Sequence, residues 1–181
     1  MQRILIGLAV LNTVLLVLAS WLGLATEPRA AVEALVSRAE AATALNRAFH
    51  RHFLVALIAG VSTLLVHSIV MTYFIGTGRW VKEAVARWAL DEQFNRATRR
   101  LKAMAFPFAF FSIVLLLATT VLGAACDTGK APSGLHLAAA LVTLGFNLLS
   151  YVVEYRAVVR NVSLLHRVAE AASAQQHRQS R

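Results

Sequence analysis

The chain is short of charged residues, of cysteine and of recognisable catalytic motifs. Charged residues make up 15% of the sequence, whereas a soluble protein has about 25%. The single cysteine, Cys126, excludes a disulfide within the chain. A passive residue at a helix end is the preferred interpretation, with a metal ligand or a link to another chain as alternatives. No Ser-His-Asp set, glycine-rich nucleotide loop or pair of carboxylates appears, and this absence favours a protein that is not an enzyme.

Apolar residues dominate instead, at 58% of the 181 residues. They form four segments, at about 4–25, 53–75, 104–125 and 134–155. A helix of about 20 apolar residues spans the roughly 30 Å hydrocarbon core of a bilayer. The first segment is too long, and its end too bulky, for a cleaved signal peptide. The sequence therefore predicts an all-α integral membrane four-helix bundle of one domain, with up-down topology.

The segments between the spans also have helical patterns. An alanine-rich, amphipathic stretch at about 28–49 predicts a helix on the outer surface. Gly76 and Gly78 are expected to end the second span, and an interfacial helix is expected over about 79–102. Pro107 is expected in the first turn of the third membrane helix. The fourth helix continues into a cytoplasmic tail, 156–181.

Most of the 18 lysine and arginine residues lie on one side of these spans. They occupy the loop between the second and third spans and the tail after the fourth. The positive-inside rule then predicts a bacterial inner-membrane protein with both termini in the cytoplasm. Anionic lipid head groups explain the net charge of +9 better than nucleic acid does, since no basic patch with interleaved aromatics sits on a soluble module.

A stripe of polar side chains runs along the fourth span. Steps of three, four and seven residues place these side chains on one helix face. Because an unsatisfied polar group in hydrocarbon costs several kcal/mol, the stripe must face protein or a cavity. We call this set the polar stripe; it comprises His136, Thr143, Asn147, Ser150, Glu154 and Asn161.

Counting inward from the cytoplasmic end of each span places four polar residues at one depth: Asn12, His67, Ser112 and Asn147. One interpretation is a hydrogen-bonded clamp that sets helix register. The other makes His67 a haem b ligand, a proton-relay group or part of a quinone pocket, because ionisable residues inside membranes are functional candidates. No second histidine lies at that depth, so haem would have one protein ligand or share one with another subunit.

Glu154 closes the polar stripe near the predicted cytoplasmic interface. Its ordinary interpretation is an interfacial acid in a solvated ion pair. Arg156 and Arg160 lie close by in the sequence, and an interhelical base such as Arg79 or Lys82 is an equally plausible partner. The alternative is a point of proton uptake below Asn147 and His67.

Three histidines lie at the predicted outer side: His50, His52 and His136. Imidazoles bind zinc and copper, so a divalent metal site is one hypothesis. Against it, residues two apart on a helix point in nearly opposite directions, which separates His50 from His52.

The sequence favours a non-catalytic subunit or scaffold of a larger membrane assembly, with the cofactor undetermined. Its expected partners are the lipid bilayer and other membrane subunits or further copies of itself, without nucleic acid. A haem- or quinone-binding redox protein is the first alternative, and metal binding at the outer face is the second.

Overall fold

The described residues form an all-helical structure. A computed structural model describes residues 2–25 and 38–180, with side chains described for 2–24 and 47–180. Each of the four helices is long and apolar enough to cross a membrane. They are α1 (Gln2–Ala25), α2 (Arg38–Trp88), α3 (Gln93–Asp127) and α4 (Ser133–Gln179).

The distribution of polarity is the reverse of that in a soluble bundle. Large apolar side chains are exposed on every helix, among them Val14, Val61, Val121 and Leu141. Asparagine, histidine and glutamate side chains are buried in the interior instead. Exposed apolar patches of this extent are rare on soluble monomers, whereas lipid accommodates them. The four apolar helices therefore support an integral membrane protein in contact with lipid.

Between α1 and α2, and between α3 and α4, the contacts pair later residues of one helix with earlier residues of the other. Near the chain start, Asn12 of α1 contacts Thr63 of α2, and Leu5 packs in one cluster with Phe74. Between α3 and α4, the contacts run from Ser112 with Ser150 to Thr119 with Thr143. Helix α4 also contacts α1 and α2, so its polar stripe is turned towards the other helices.

Helix α2 does not stop at the glycines predicted to end the second span. It continues through Gly76 and Gly78 to Trp88, and a short turn at 89–92 leads into α3. The predicted interfacial helix over 79–102 is therefore replaced by the ends of two helices. The reason is tertiary: Val81 and Leu164 are fully buried in a second apolar cluster, and such packing overrides the low helix propensity of glycine.

We call this part of the bundle the helical extension: residues 79–88 of α2, 93–103 of α3 and 156–179 of α4. Pro107 lies inside α3, which begins at Gln93, and not in a first turn as expected. Of the predicted surface helix, residues 28–37 lie outside the described part of the chain. Residues 38–49 form the beginning of α2 itself.

Two helices end with a residue in the left-handed conformation. Ala89 has φ 48°, and the amide of Leu90 donates to the carbonyl oxygen of Val85 at 3.1 Å. At the end of α3, Gly129 has φ 70° and the amide of Lys130 donates to Ala125 at 2.8 Å. Both are Schellman ends, in which the left-handed residue is usually glycine. The alanine is therefore the strained example of the two.

Candidate functional site

His67 lies in the interior of the bundle, on the face of α2 that packs against α4. Its side chain is completely buried. The Nδ1 atom is 2.7 Å from Glu154 Oε1, and the Nε2 atom is 2.9 Å from Asn147 Oδ1. Asn147 and Glu154 are seven residues apart on α4, which is two helical turns, so His67 bridges them along the polar stripe. The predicted inward orientation of His67 and Asn147 is confirmed.

The hydrogen bonds determine where the protons of this group lie. Asn147 Nδ2 donates to the backbone oxygen of Thr143 at 2.8 Å, which fixes the orientation of the amide. Its Oδ1 can only accept, so His67 Nε2 must carry a proton. One further proton is shared between His67 Nδ1 and Glu154 Oε1. The pair has no net charge whichever atom holds that proton, and this neutrality lowers the cost of burying it.

Tyr151 completes the group from the same face of α4. Its ring stacks on the imidazole of His67, with centroids 5.4 Å apart and planes 11° from parallel. Its hydroxyl accepts a hydrogen bond from Asn12 Nδ2 and donates to Asn147 Oδ1 at 3.4 Å. Asn12 Nδ2 also donates to Thr63 Oγ1 at 2.9 Å. The network therefore joins α1, α2 and α4.

Separate polar contacts hold α3 against α4. Ser112 Oγ donates to Ser150 Oγ at 2.9 Å. Nearer the start of α4, the hydroxyls of Thr119 and Thr143 are 2.7 Å apart. Each of these pairs links the same two helices, so the polar stripe also sets the register of α3.

Asn161 extends the polar stripe towards the helical extension. Its Nδ2 donates to Tyr73 Oη and to Thr77 Oγ1, both at 3.1 Å. Within the described residues, Asn161 Oδ1 and Glu154 Oε2 are buried without a hydrogen-bond partner. The interior is thus largely, but not completely, satisfied by its own side chains.

The structure brings together four of the five interior residues singled out from the sequence. Asn12, His67, Asn147 and Glu154 belong to one network through Tyr151, whereas Ser112 pairs separately with Ser150. Their role in binding a cofactor stays a prediction.

The prediction that Glu154 forms a solvated ion pair with a basic residue was wrong. The carboxylate is fully buried against His67, and Arg79 pairs instead with Glu83 on the exposed side of α2. The reason is the packing of α2 against α4, which places His67 beside the last turn of the predicted fourth span, where Glu154 lies. Glu154 is therefore an interior residue and not a solvated interfacial acid.

Sequence reasoning missed the part that Tyr151 plays. The residue follows Asn147 by four positions and precedes Glu154 by three, so it shares their helix face. Counting tyrosine among the polar residues of the polar stripe would have found it.

The outer histidines are only partly brought together. The rings of His52 and His136 contact edge to face with centroids 6.3 Å apart, while His50 packs against Phe49. His52 Nδ1 is 3.0 Å from the backbone oxygen of Ala19, which makes this nitrogen the donor. Within residues 2–25 and 38–180, no group of three or more His, Cys, Asp and Glu side chains is placed to hold a metal ion.

Each of these two rings lies against a glycine of the preceding helix. A Cβ added at Gly23 would lie 3.1 Å from His52 Cε1, and one at Gly123 would lie 2.9 Å from His136 Cε1. Glycine at both positions thus makes room for an imidazole between helices. This packing places the imidazole of His52 against α1 and that of His136 against α3.

Comparison with known proteins gives no match to a protein family, a curated protein or a solved structure. Function is therefore inferred from the chemistry of the described side chains. That chemistry includes hydrogen bonds linking all four helices and one proton shared between two buried groups.

Proposed function

We propose that the protein is a non-catalytic subunit or scaffold of a larger membrane assembly. The observation that carries this proposal is that the buried polar side chains form hydrogen bonds between helices. His67, Asn147 and Asn12 each form at least one hydrogen bond to a side chain of a neighbouring helix, and such bonds hold the register between helices. The outer surface of the spans is apolar and is available to lipid or to the helices of partner subunits.

The proposed topology is up-down in a bacterial inner membrane, with both termini cytoplasmic. The antiparallel contacts of α1 with α2 and of α3 with α4 support it. So does the charge of the helical extension, which is rich in arginine and lysine and therefore suits the cytoplasmic side.

A redox role is the first alternative. Both ring nitrogens of His67 are hydrogen-bonded, so an axial bond to haem iron would require Asn147 or Glu154 to be displaced. A quinone would instead need a hydrogen bond from His67, whose two ring nitrogens already have partners. The metal alternative at the outer face has two of its three histidines in contact.

Purification tests the scaffold proposal. The tagged protein is extracted from its native membrane in a mild detergent and sized by light scattering. We expect a complex heavier than the single chain, with another membrane protein present at a constant ratio. The same chain expressed alone in a foreign host is the control. A monodisperse single chain from the native membrane would contradict the proposal.

Spectroscopy separates the alternatives. A visible absorption spectrum of the purified complex is expected to show no Soret band that depends on His67. A band lost in His67→Ala would replace the scaffold role by a haem-binding one. Elemental analysis with and without His136→Ala tests the outer metal site in the same way, since bound metal should fall only if the imidazole is a ligand.

A further inference from the structure

A groove of about 350 Å³ lies in the helical extension, between the beginning of α3 and the later part of α4. This volume is at the lower end of the range for small-molecule sites, roughly 300 to 1,000 Å³. Polar and apolar side chains both line it. They include Gln93, Phe94, Arg96, Arg100, Leu164 and Arg167.

Among the described residues, three arginine side chains and no acidic side chain line this groove. Arg96 and Arg100 are one helical turn apart on α3, a spacing at which like charges repel, and Arg167 faces them from α4. Asp91 Oδ1 is 3.9 Å from Arg96 Nη2. In the described part of the chain, Arg100 and Arg167 have no ion pair. An anion bound between the helices would relieve this repulsion.

We propose that the groove binds a phosphorylated anion. Arginine forms paired, charge-assisted hydrogen bonds to phosphate oxygens, and the amide of Gln93 adds a further donor. Phe94 and Leu164 offer an apolar wall to the group that carries the phosphate. This site is independent of the scaffold role, because it lies outside the interior network.

The position of the groove admits two sources of phosphate. Arg100 is four residues before Met104, where the apolar span begins, and is therefore roughly 6 Å beyond it. Arg96 lies one turn further out. An anionic phospholipid head group can reach Arg100, and a soluble phosphate compound can reach all three arginines. The shared chemistry is the phosphate, and experiment can separate the sources.

The test uses the full chain in nanodiscs. In the first arm, phosphatidylcholine nanodiscs are titrated with inorganic pyrophosphate by calorimetry. In the second, protein from mixed phosphatidylglycerol and phosphatidylcholine membranes is examined by native mass spectrometry for retained phosphatidylglycerol. Arg100→Gln and Arg167→Gln are expected to weaken binding at least roughly tenfold each, as loss of a charged hydrogen bond does.

Arg99→Gln is the matched control. Arg99 lies on the same helix, and its substitution changes the net charge equally, but it faces Glu92 at 3.9 Å and does not line the groove. We expect binding within about twofold of the unchanged protein, because only bulk electrostatics is altered. Arg100 and Arg167 are exposed, so folding should persist. Circular dichroism checks it, and Arg100→Lys is a milder second variant.

Each outcome decides the proposal. Pyrophosphate binding that depends on Arg100 and Arg167 supports a soluble phosphate compound. Retention of phosphatidylglycerol with the same dependence, without pyrophosphate binding, supports a lipid head group. Binding in neither arm, or equal weakening in Arg99→Gln, would overturn the site.

Discussion

His67 Nδ1 and Glu154 Oε1 lie 2.7 Å apart, with both side chains fully buried. The two residues are 87 positions apart in the chain, on helices that run side by side. Asn147 Oδ1 accepts a hydrogen bond from the other ring nitrogen of the imidazole, Nε2. This triad makes the contact of α2 with α4 specific, because a shift of either helix by one turn would leave buried polar groups unpaired.

Removing the carboxylate should destabilise the bundle strongly. Glu154→Ala is expected to lower the free energy of unfolding by about 3 kcal/mol, because His67 Nδ1 loses its partner in the interior. Glu154→Gln keeps the side-chain volume and can donate to Nδ1, so its cost should be about 1 kcal/mol. Equilibrium unfolding in mixed micelles measures both.

A double-mutant cycle with His67→Ala separates the interaction energy of His67 and Glu154 from the cost of the cavities that the alanine substitutions create. The double variant should lose clearly less free energy of unfolding than the two single variants lose together, because each single change already removes the hydrogen bond between the two side chains. Strictly additive costs would show that the pair is not coupled. Glu83→Ala is the control, since its ion pair with Arg79 is exposed and contributes little.

The side-chain amide of Asn12 should contribute more to the free energy of unfolding than the hydroxyl of Thr13. Asn12→Ala removes hydrogen bonds to Thr63 and Tyr151 and is expected to cost about 1 to 2 kcal/mol, given typical values for membrane helices. Thr13→Ala is the matched control, because among the described residues that hydroxyl donates only to the backbone oxygen of Ala9 in its own helix. Equal unfolding curves for the two variants would contradict the network.

A methyl group at Gly123 should disturb the packing of His136. The added Cβ would lie 2.9 Å from His136 Cε1, and overpacking of this kind costs about 1 to 3 kcal/mol. Gly145→Ala, where nothing lies within 4 Å, should instead stabilise α4 by roughly 0.5 to 1 kcal/mol. Thermal unfolding in detergent compares the two. The combination of Gly123→Ala with His136→Ala should recover part of the loss, and its failure to do so would refute the contact.

The end of α2 offers a stabilising substitution. Ala89 has φ 48°, and an alanine in the left-handed region is strained by roughly 1 to 2 kcal/mol. Ala89→Gly is therefore expected to raise the free energy of unfolding by about 1 kcal/mol. Ala86→Gly, inside the same helix, should lower it by a similar amount. Equal destabilisation by both changes would contradict the inference that Ala89 is strained at this helix end.

Helix content and the inward face of α4 could be predicted because both depend on neighbouring residues. Runs of apolar residues marked all four membrane helices, and the polar stripe placed Asn147, Ser150 and Glu154 on one buried face. The ends of the helices were less predictable. Gly76 and Gly78 favour a stop locally, yet the cluster of Val81 with Leu164 holds α2 helical beyond them.

By itself, the sequence determined that this is an apolar, helical protein and which side of α4 turns inward, because hydropathy and the helical repeat are properties of consecutive residues. Only the tertiary structure decided the partners. It placed Glu154 against His67 rather than Arg79, stacked Tyr151 on the imidazole, and brought Arg167 to the groove beside Arg100. These juxtapositions depend on how distant helices rotate and slide against each other, which the packing of the whole bundle sets.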